Sequence, residues 1–200
     1  MLKHQCSNEA LKKWFAEYSN WLLTDEFGIK ESKTTNNHAA YYIAQLASYA
    51  IYTGDITAAK KAIERGKEML NKQMASDGSL PRELGRPNSF HYSLYGLKAF
   101  CIMADCANVI NEDMWHWTSS DGKSIKSGLD FILPYLVKEK EWTWKNVARD
   151  GEKARVNAIL FIRRASKIYK TNELRQAENF ITCMSPDDSE KVWLLGRNLE

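Results

Sequence analysis

Two stretches of this chain are apolar nearly all the way round a helical turn, and they restrict its architecture more than any other feature. Residues 39–52 read AAYYIAQLASYAIY and residues 90–110 read FHYSLYGLKAFCIMADCANVI. A helix with one polar face can lie at a surface, whereas one without must be enclosed by protein on both sides. Between them, residues 56–74 place Ala59, Ala62, Ile63, Gly66 and Leu70 on one face and Lys60, Lys61, Glu64, Lys67 and Glu68 on the other, which describes an outer helix with one wet side. Enclosed helices alternating with amphipathic ones predict an all-α chain of antiparallel helical hairpins, arranged in an inner and an outer layer.

No segment alternates as a strand. A first helix is expected over residues 8–23, where Leu11, Trp14, Phe15, Tyr18, Trp21 and Leu22 recur at three- and four-residue spacing, and it is expected to end near Gly28. The second, over residues 37–52, should stop at Thr53-Gly54, leaving Asp55 to cap the third. So short a connection makes the two antiparallel neighbours. Further helices are expected over residues 124–138, 151–169, 172–183 and 187–196, the last with Ser185 as N-cap, Pro186 as first helical residue and Asp188 at its positive end. With neither a fixed-period repeat nor a linker to divide it, the chain of 200 residues reads as a single domain, residues 1–200, long enough to bury a core.

The charge balance narrows the partners. Its 28 Lys and Arg against 25 Asp and Glu leave +3, too little and too scattered for a nucleic-acid groove, so an acidic ligand would have to be met locally. No apolar run reaches the length of about 18 residues that spans a membrane. The start, MLKHQCSNEALKKW, lacks the apolar centre of a secretory signal, so either the protein stays in the cytoplasm or the sequence lacks its natural beginning. Cys6, Cys101, Cys106 and Cys183 form no CxxC pair and have no His at zinc-ligand spacing; they read as free thiols, and no metal or cofactor is called for. Trp21, Trp142 and Trp144 stand open between sugar-stacking platforms and core packing.

Two polar clusters interrupt the enclosed helices. Thr35-Asn36-Asn37-His38 enters the first of them, where amide, imidazole and unpaired backbone N–H groups at a helix start can hold a carboxylate or can simply cap the helix. Asp77-Gly78-Ser79-Leu80-Pro81-Arg82-Glu83-Leu84-Gly85-Arg86 leads two arginines into the second, which opens with His91, Tyr92 and Tyr95. Arg86 can meet an anion or pair with Glu83, and Tyr92 can be a reactive phenol or a satisfied core tyrosine.

Taken together, NNHAAYY, the later Gln45 and YTGD, DGSLPRELGR and HYSLYGL resemble, in this order and spacing, the alginate lyase family of polysaccharide lyases. Met114-Trp115-His116-Trp117-Thr118, Ser120-Asp121-Gly122-Lys123-Ser124-Ile125 and Leu133-Pro134-Tyr135 extend the resemblance over roughly residues 14–145. The resemblance implies an incomplete α/α toroid whose inner helices surround a substrate cleft. Members are usually longer, which makes this chain similar to a C-terminal portion lacking the N-terminal helices of the other cleft wall.

Carried over by motif, Asn37 and His38 match the family's Asn-His pair, Arg86 its arginine and Tyr92 its catalytic tyrosine, although the chain has one residue fewer between Arg86 and Tyr92 than better-known members. Tyr95 matches a substrate-contacting tyrosine, and His91 and Arg82 are taken as further substrate-binding residues. The implied reaction is β-elimination on a uronic-acid polymer of the alginate or glucuronan type. Asn37, His38 and Arg86 would neutralise the carboxylate, Tyr92 would serve as base and acid, and for the opposite C5 configuration His38 would be the base. The implied partner is an anionic polysaccharide, met in the periplasm or outside the cell, with no nucleic acid and no membrane. Two alternatives stay open. One is a non-catalytic carbohydrate-binding or scaffold remnant of this fold. The other is an α/α-toroid glycoside hydrolase, which would need two facing carboxylates, with Glu83, Asp77 and Asp121 as the candidates.

Overall fold

The computed structural model describes the backbone of residues 2–148 and 151–184, and the side chains of 8–148 and 151–184. Among these residues there are nine helices in the order α1 (Leu2–Thr24), α2 (Glu26–Ser32), α3 (Asn37–Thr53), α4 (Ile56–Gln73), α5 (Pro81–Leu84), α6 (Ser89–Val109), α7 (Ile125–Leu136), α8 (Gly151–Tyr169) and α9 (Asn172–Met184). No strand occurs among them, only one isolated antiparallel bridge between Asn88 and Asn146.

The two enclosed segments become α3 and α6, and they pack side by side. Alanines at 39, 40, 44 and 47 give α3 a low relief, and Phe90, Leu94, Leu97, Phe100 and Met103 supply the bulk on α6; all are buried. Each large side chain withdrawn from water in this way contributes about 1.5 to 3 kcal/mol. The other elements wrap this pair: α1 and α4 lie against α3, α4, α7 and α8 against α6, and α9 against α8. Inner and outer roles agree with the sequence expectation for α3, α4 and α6. In α4, Ala59, Ala62, Ile63 and Leu70 are buried, while Lys60 and Glu64 are exposed.

The α3–α4 turn follows the sequence closely. Gly54 caps α3 in the left-handed conformation at φ 85°, and the Asp55 carboxylate accepts from Ala58 N at 2.9 Å. Ser124 and Ser127 likewise form a reciprocal capping box at the start of α7.

Three expectations are corrected. The first helix does not run to Gly28; it ends at Thr24, and α2 restarts on Asp25, whose side chain accepts from Phe27 N at 2.9 Å. Gly28 lies inside α2, where a Cβ would stand 2.2 Å from the Leu22 carbonyl oxygen, so this glycine permits contact between helices rather than stopping one. Residues 81–84, for which no helix was expected, close a single helical turn with Pro81 at its start, and α7 stops at Leu136 rather than 138. The helix expected over residues 187–196, with its Ser185 cap, lies outside the described residues. No helix among the described residues is long and apolar enough to cross a membrane.

Candidate active site

The start of α3 is where the polar residues of the first cluster are sorted. Asn36 is the N-cap, its side chain accepting from His38 N at 3.2 Å. Asn37 is 4% exposed and turns inward to Glu83 of α5, itself 2% exposed. The carboxylate accepts from Asn37 N at 2.6 Å and from Asn37 Nδ2 at 3.0 Å to each oxygen. The anion held at this helix start is therefore the chain's own. Gly96 on α6 makes room, since a Cβ there would lie 3.4 Å from Glu83 Cγ and 3.9 Å from Asn37 Cβ.

His38 faces the other way and is half exposed. Its Nδ1 lies 2.5 Å from Glu31 Oε1, at the end of α2. A carboxylate acceptor favours the proton on Nδ1, which leaves the ring's lone pair on Nε2. Glu31 was not among the candidates from sequence. Seven residues before His38 it would share a face of an unbroken helix, but the chain leaves helical geometry between Ser32 and Asn37, so spacing carried no signal for the contact.

Arg86 does not pair with Glu83. Its guanidinium carbon lies 4.0 Å from the centroid of the Tyr92 ring, a close cation–π contact. His91 meets Tyr92 edge-on at 5.4 Å and lies nearly parallel to Tyr95 at 5.9 Å. Tyr95 in turn stacks on Tyr41 of α3 at 4.3 Å. Tyr41 is one turn beyond His38 and Tyr95 one turn beyond Tyr92, so each of the two reactive candidates stands about 4.5 Å along its helix from the same ring pair. Burial, and next the neighbouring Tyr95, push the Tyr41 phenol above its ordinary range, which keeps it protonated. Arg82 is exposed on α5.

Trp142 and Trp144 resolve as packing, whereas Trp21 is 42% exposed. Trp142 donates to Ser89 Oγ at 2.8 Å and lies against Phe90 and Trp144 at 5.1 and 4.7 Å, bracing the start of α6. Trp21 stacks on Tyr18 within α1. The carboxylates that hydrolysis would draw on are engaged elsewhere: Glu83 with Asn37, Asp77 with Ser79 N at 2.9 Å, and Asp121 with Lys123 at 2.8 Å. No group of His, Cys, Asp and Glu among the described residues could hold a metal ion.

Compared with known proteins, residues 4–142 match the model of the alginate lyase family. The chain belongs to that family. The crystal structure of an alginate lyase from Bacteroides ovatus is similar at 30% identity and a TM-score of 0.80, over 89% of this chain and 46% of that one. This member of the alginate lyase family thus spans about half the length of that solved relative. Among curated proteins none matches.

Proposed function

We propose that this chain carries the elimination site of a polysaccharide lyase acting on a uronic-acid polymer of the alginate or glucuronan type. The reaction breaks the C4–O bond of a uronate, removes the C5 proton and leaves a C4–C5 double bond. Its difficulty is the C5 proton, because the intermediate concentrates negative charge on the adjacent carboxylate, and a donor aimed there stabilises the transition state more than the ground state.

The observation that carries this reading is the approach of Arg86 to the Tyr92 ring, one helical turn from the Tyr41–Tyr95 contact that also stands one turn from His38. Arg86 brings a permanent charge and a two-pronged fork to the carboxylate. It also sets that charge against the ring on which phenolate charge must develop. Tyr92 takes the C5 proton and returns one to the departing O4. For the opposite C5 configuration, His38 takes the proton through Nε2, with Glu31 stabilising the resulting imidazolium, and Tyr92 acts as acid. Asn37, its amide nitrogen committed to Glu83, serves as a positioning residue for the start of α3. Tyr95 and His91 form the adjoining wall against which the sugar rests.

The test is a panel of alginate and glucuronan assayed by the absorbance of unsaturated product. Tyr92→Phe and His38→Ala are each expected to lower the rate on the preferred polymer by about a hundredfold or more, the contribution typical of a positioned acid or base. Wild-type rates in both variants would end the assignment.

A further inference from the structure

We infer that the cleft between the α2–α3 loop and the C-terminal half of α4 is a second anion subsite, which holds the carboxylate of a uronic acid a few sugars away from the one being eliminated. The sugar class rests on the function proposed above. The site itself rests on four observations.

The cleft encloses about 350 Å³, enough for a sugar carboxylate and part of its ring. Lys33, Arg65 and Lys72 line it, opposed by Glu68 alone. Elsewhere on α4, Lys60 and Lys67 are neutralised, by Glu112 at 3.0 Å and by Glu64 at 2.6 Å, and Lys61 lines a different cleft, against α1. Among the described residues no ion pair includes Lys33, Arg65 or Lys72, so the cleft gathers three cations without a carboxylate of their own.

Arg65 is already oriented. Its Nη2 donates to the Ser32 carbonyl at 3.0 Å, and its guanidinium lies 5.3 Å from the Tyr42 ring centroid. A cation fixed in advance loses less freedom when it meets a carboxylate.

The floor is polar and tied to the proposed site. Gln73, buried in the wall of the cleft, donates to the Asn36 carbonyl at 2.8 Å, the residue whose side chain caps His38 N.

The loop also joins Glu31 to His38. Ser32 follows Glu31, and Thr35, three residues before His38, lies no more than about 11 Å from it along even a fully extended chain. A polymer crossing the His38–Tyr92 surface can therefore place a later carboxylate over this loop. A charge repeated on every sugar meets cations spaced along its path.

The test separates binding from turnover by using the Tyr92→Phe background throughout. Hexamers of β-1,4-glucuronate and of mannuronate, and their carboxyl-reduced neutral counterparts, are titrated calorimetrically. The proteins are this variant alone, the same with Lys33→Ala and Lys72→Ala, and the same with Lys12→Ala and Lys13→Ala, which removes equal charge from exposed positions on α1. Loss of the cleft lysines is expected to weaken the preferred acidic hexamer about tenfold, as lost charge-assisted hydrogen bonds do. The α1 control and the neutral hexamers should be unaffected. Thermal unfolding confirms that the exposed substitutions leave the fold intact.

The subsite is overturned if the cleft variant binds as tightly as its parent, if the α1 control loses as much, or if the parent binds neither acidic hexamer. The lyase assay on wild-type chain is read separately. Lysine-dependent binding without unsaturated product would remove the catalytic proposal and keep the subsite, and product formation with lysine-independent binding would do the reverse.

Discussion

A carboxylate withdrawn to 2% exposure, with an asparagine rather than a cation beside it, is an expensive residue unless its hydrogen bonds are complete. Among the described residues Glu83 meets that condition through Asn37, using one backbone and one side-chain donor. Removing the acceptor strands both donors in the interior, at about 1 to 3 kcal/mol each. Glu83→Ala is therefore expected to lower unfolding free energy by about 3 kcal/mol in urea titration, and Glu83→Gln, which keeps one acceptor oxygen, by clearly less. Equal losses in the two would mean that the lost carboxylate charge, and neither the cavity nor the remaining acceptor oxygen, sets the cost. The same contact explains the limit of sequence reading at this scale. Asn37, His38, Arg86, Tyr92 and Tyr95 were legible as residue types entering buried helices. Their partners were not, because Glu31 and Glu83 are chosen by how α2 and α5 are folded back onto α3 and not by any spacing along the chain.

Helix ends divide into those written locally and those imposed by a neighbour. Gly54-Asp55 needs no tertiary information: one residue takes the left-handed conformation and the next caps, and the sequence reading found both. Gly78 has the same φ of 85°, but a Cβ there would stand 2.1 Å from the Ser127 carbonyl oxygen, whereas at Gly54 nothing lies within 4 Å. The pair isolates backbone strain from packing. Gly54→Ala is expected to cost about 1 to 2 kcal/mol, the penalty of left-handed backbone for a side chain. Gly78→Ala should cost more, because the start of α7 must also move. Comparison of urea midpoints checks the order, and an equal cost would place all of it in the backbone. Short elements were the ones missed. α2 and α5, at seven and four residues, carry too few apolar positions for a helical period to emerge, and Gly28 was misread as a stop because close approach to the Leu22 backbone is invisible in one dimension.

At the scale of the molecule, the enclosed helices were legible because an all-round apolar segment has no other place to go, whereas their packing on one another was supplied by the fold. That logic also locates the chain's internal reporter of global unfolding. Cys101 sits mid-way along α6, 2% exposed, and burial, with Asp105 adding to it, holds its thiol well above the ordinary range. Cys183 near the end of α9 is exposed. A disulfide-exchange reagent needs both access and thiolate, so in native buffer Cys183 should react promptly while Cys101 waits for α6 to leave α3 and α8. If that separation requires unfolding of the whole core, the wait is set by the stability of the domain, and at the usual minimum of about 5 kcal/mol the labelling rate falls by roughly three orders of magnitude or more. Mass spectrometry of labelled peptides over time measures the two rates. Added urea should raise the Cys101 rate with the slope of global unfolding and leave Cys183 nearly unchanged. A Cys101 rate insensitive to urea would mean that α6 opens locally, and the central pair would then be a hinge rather than the core.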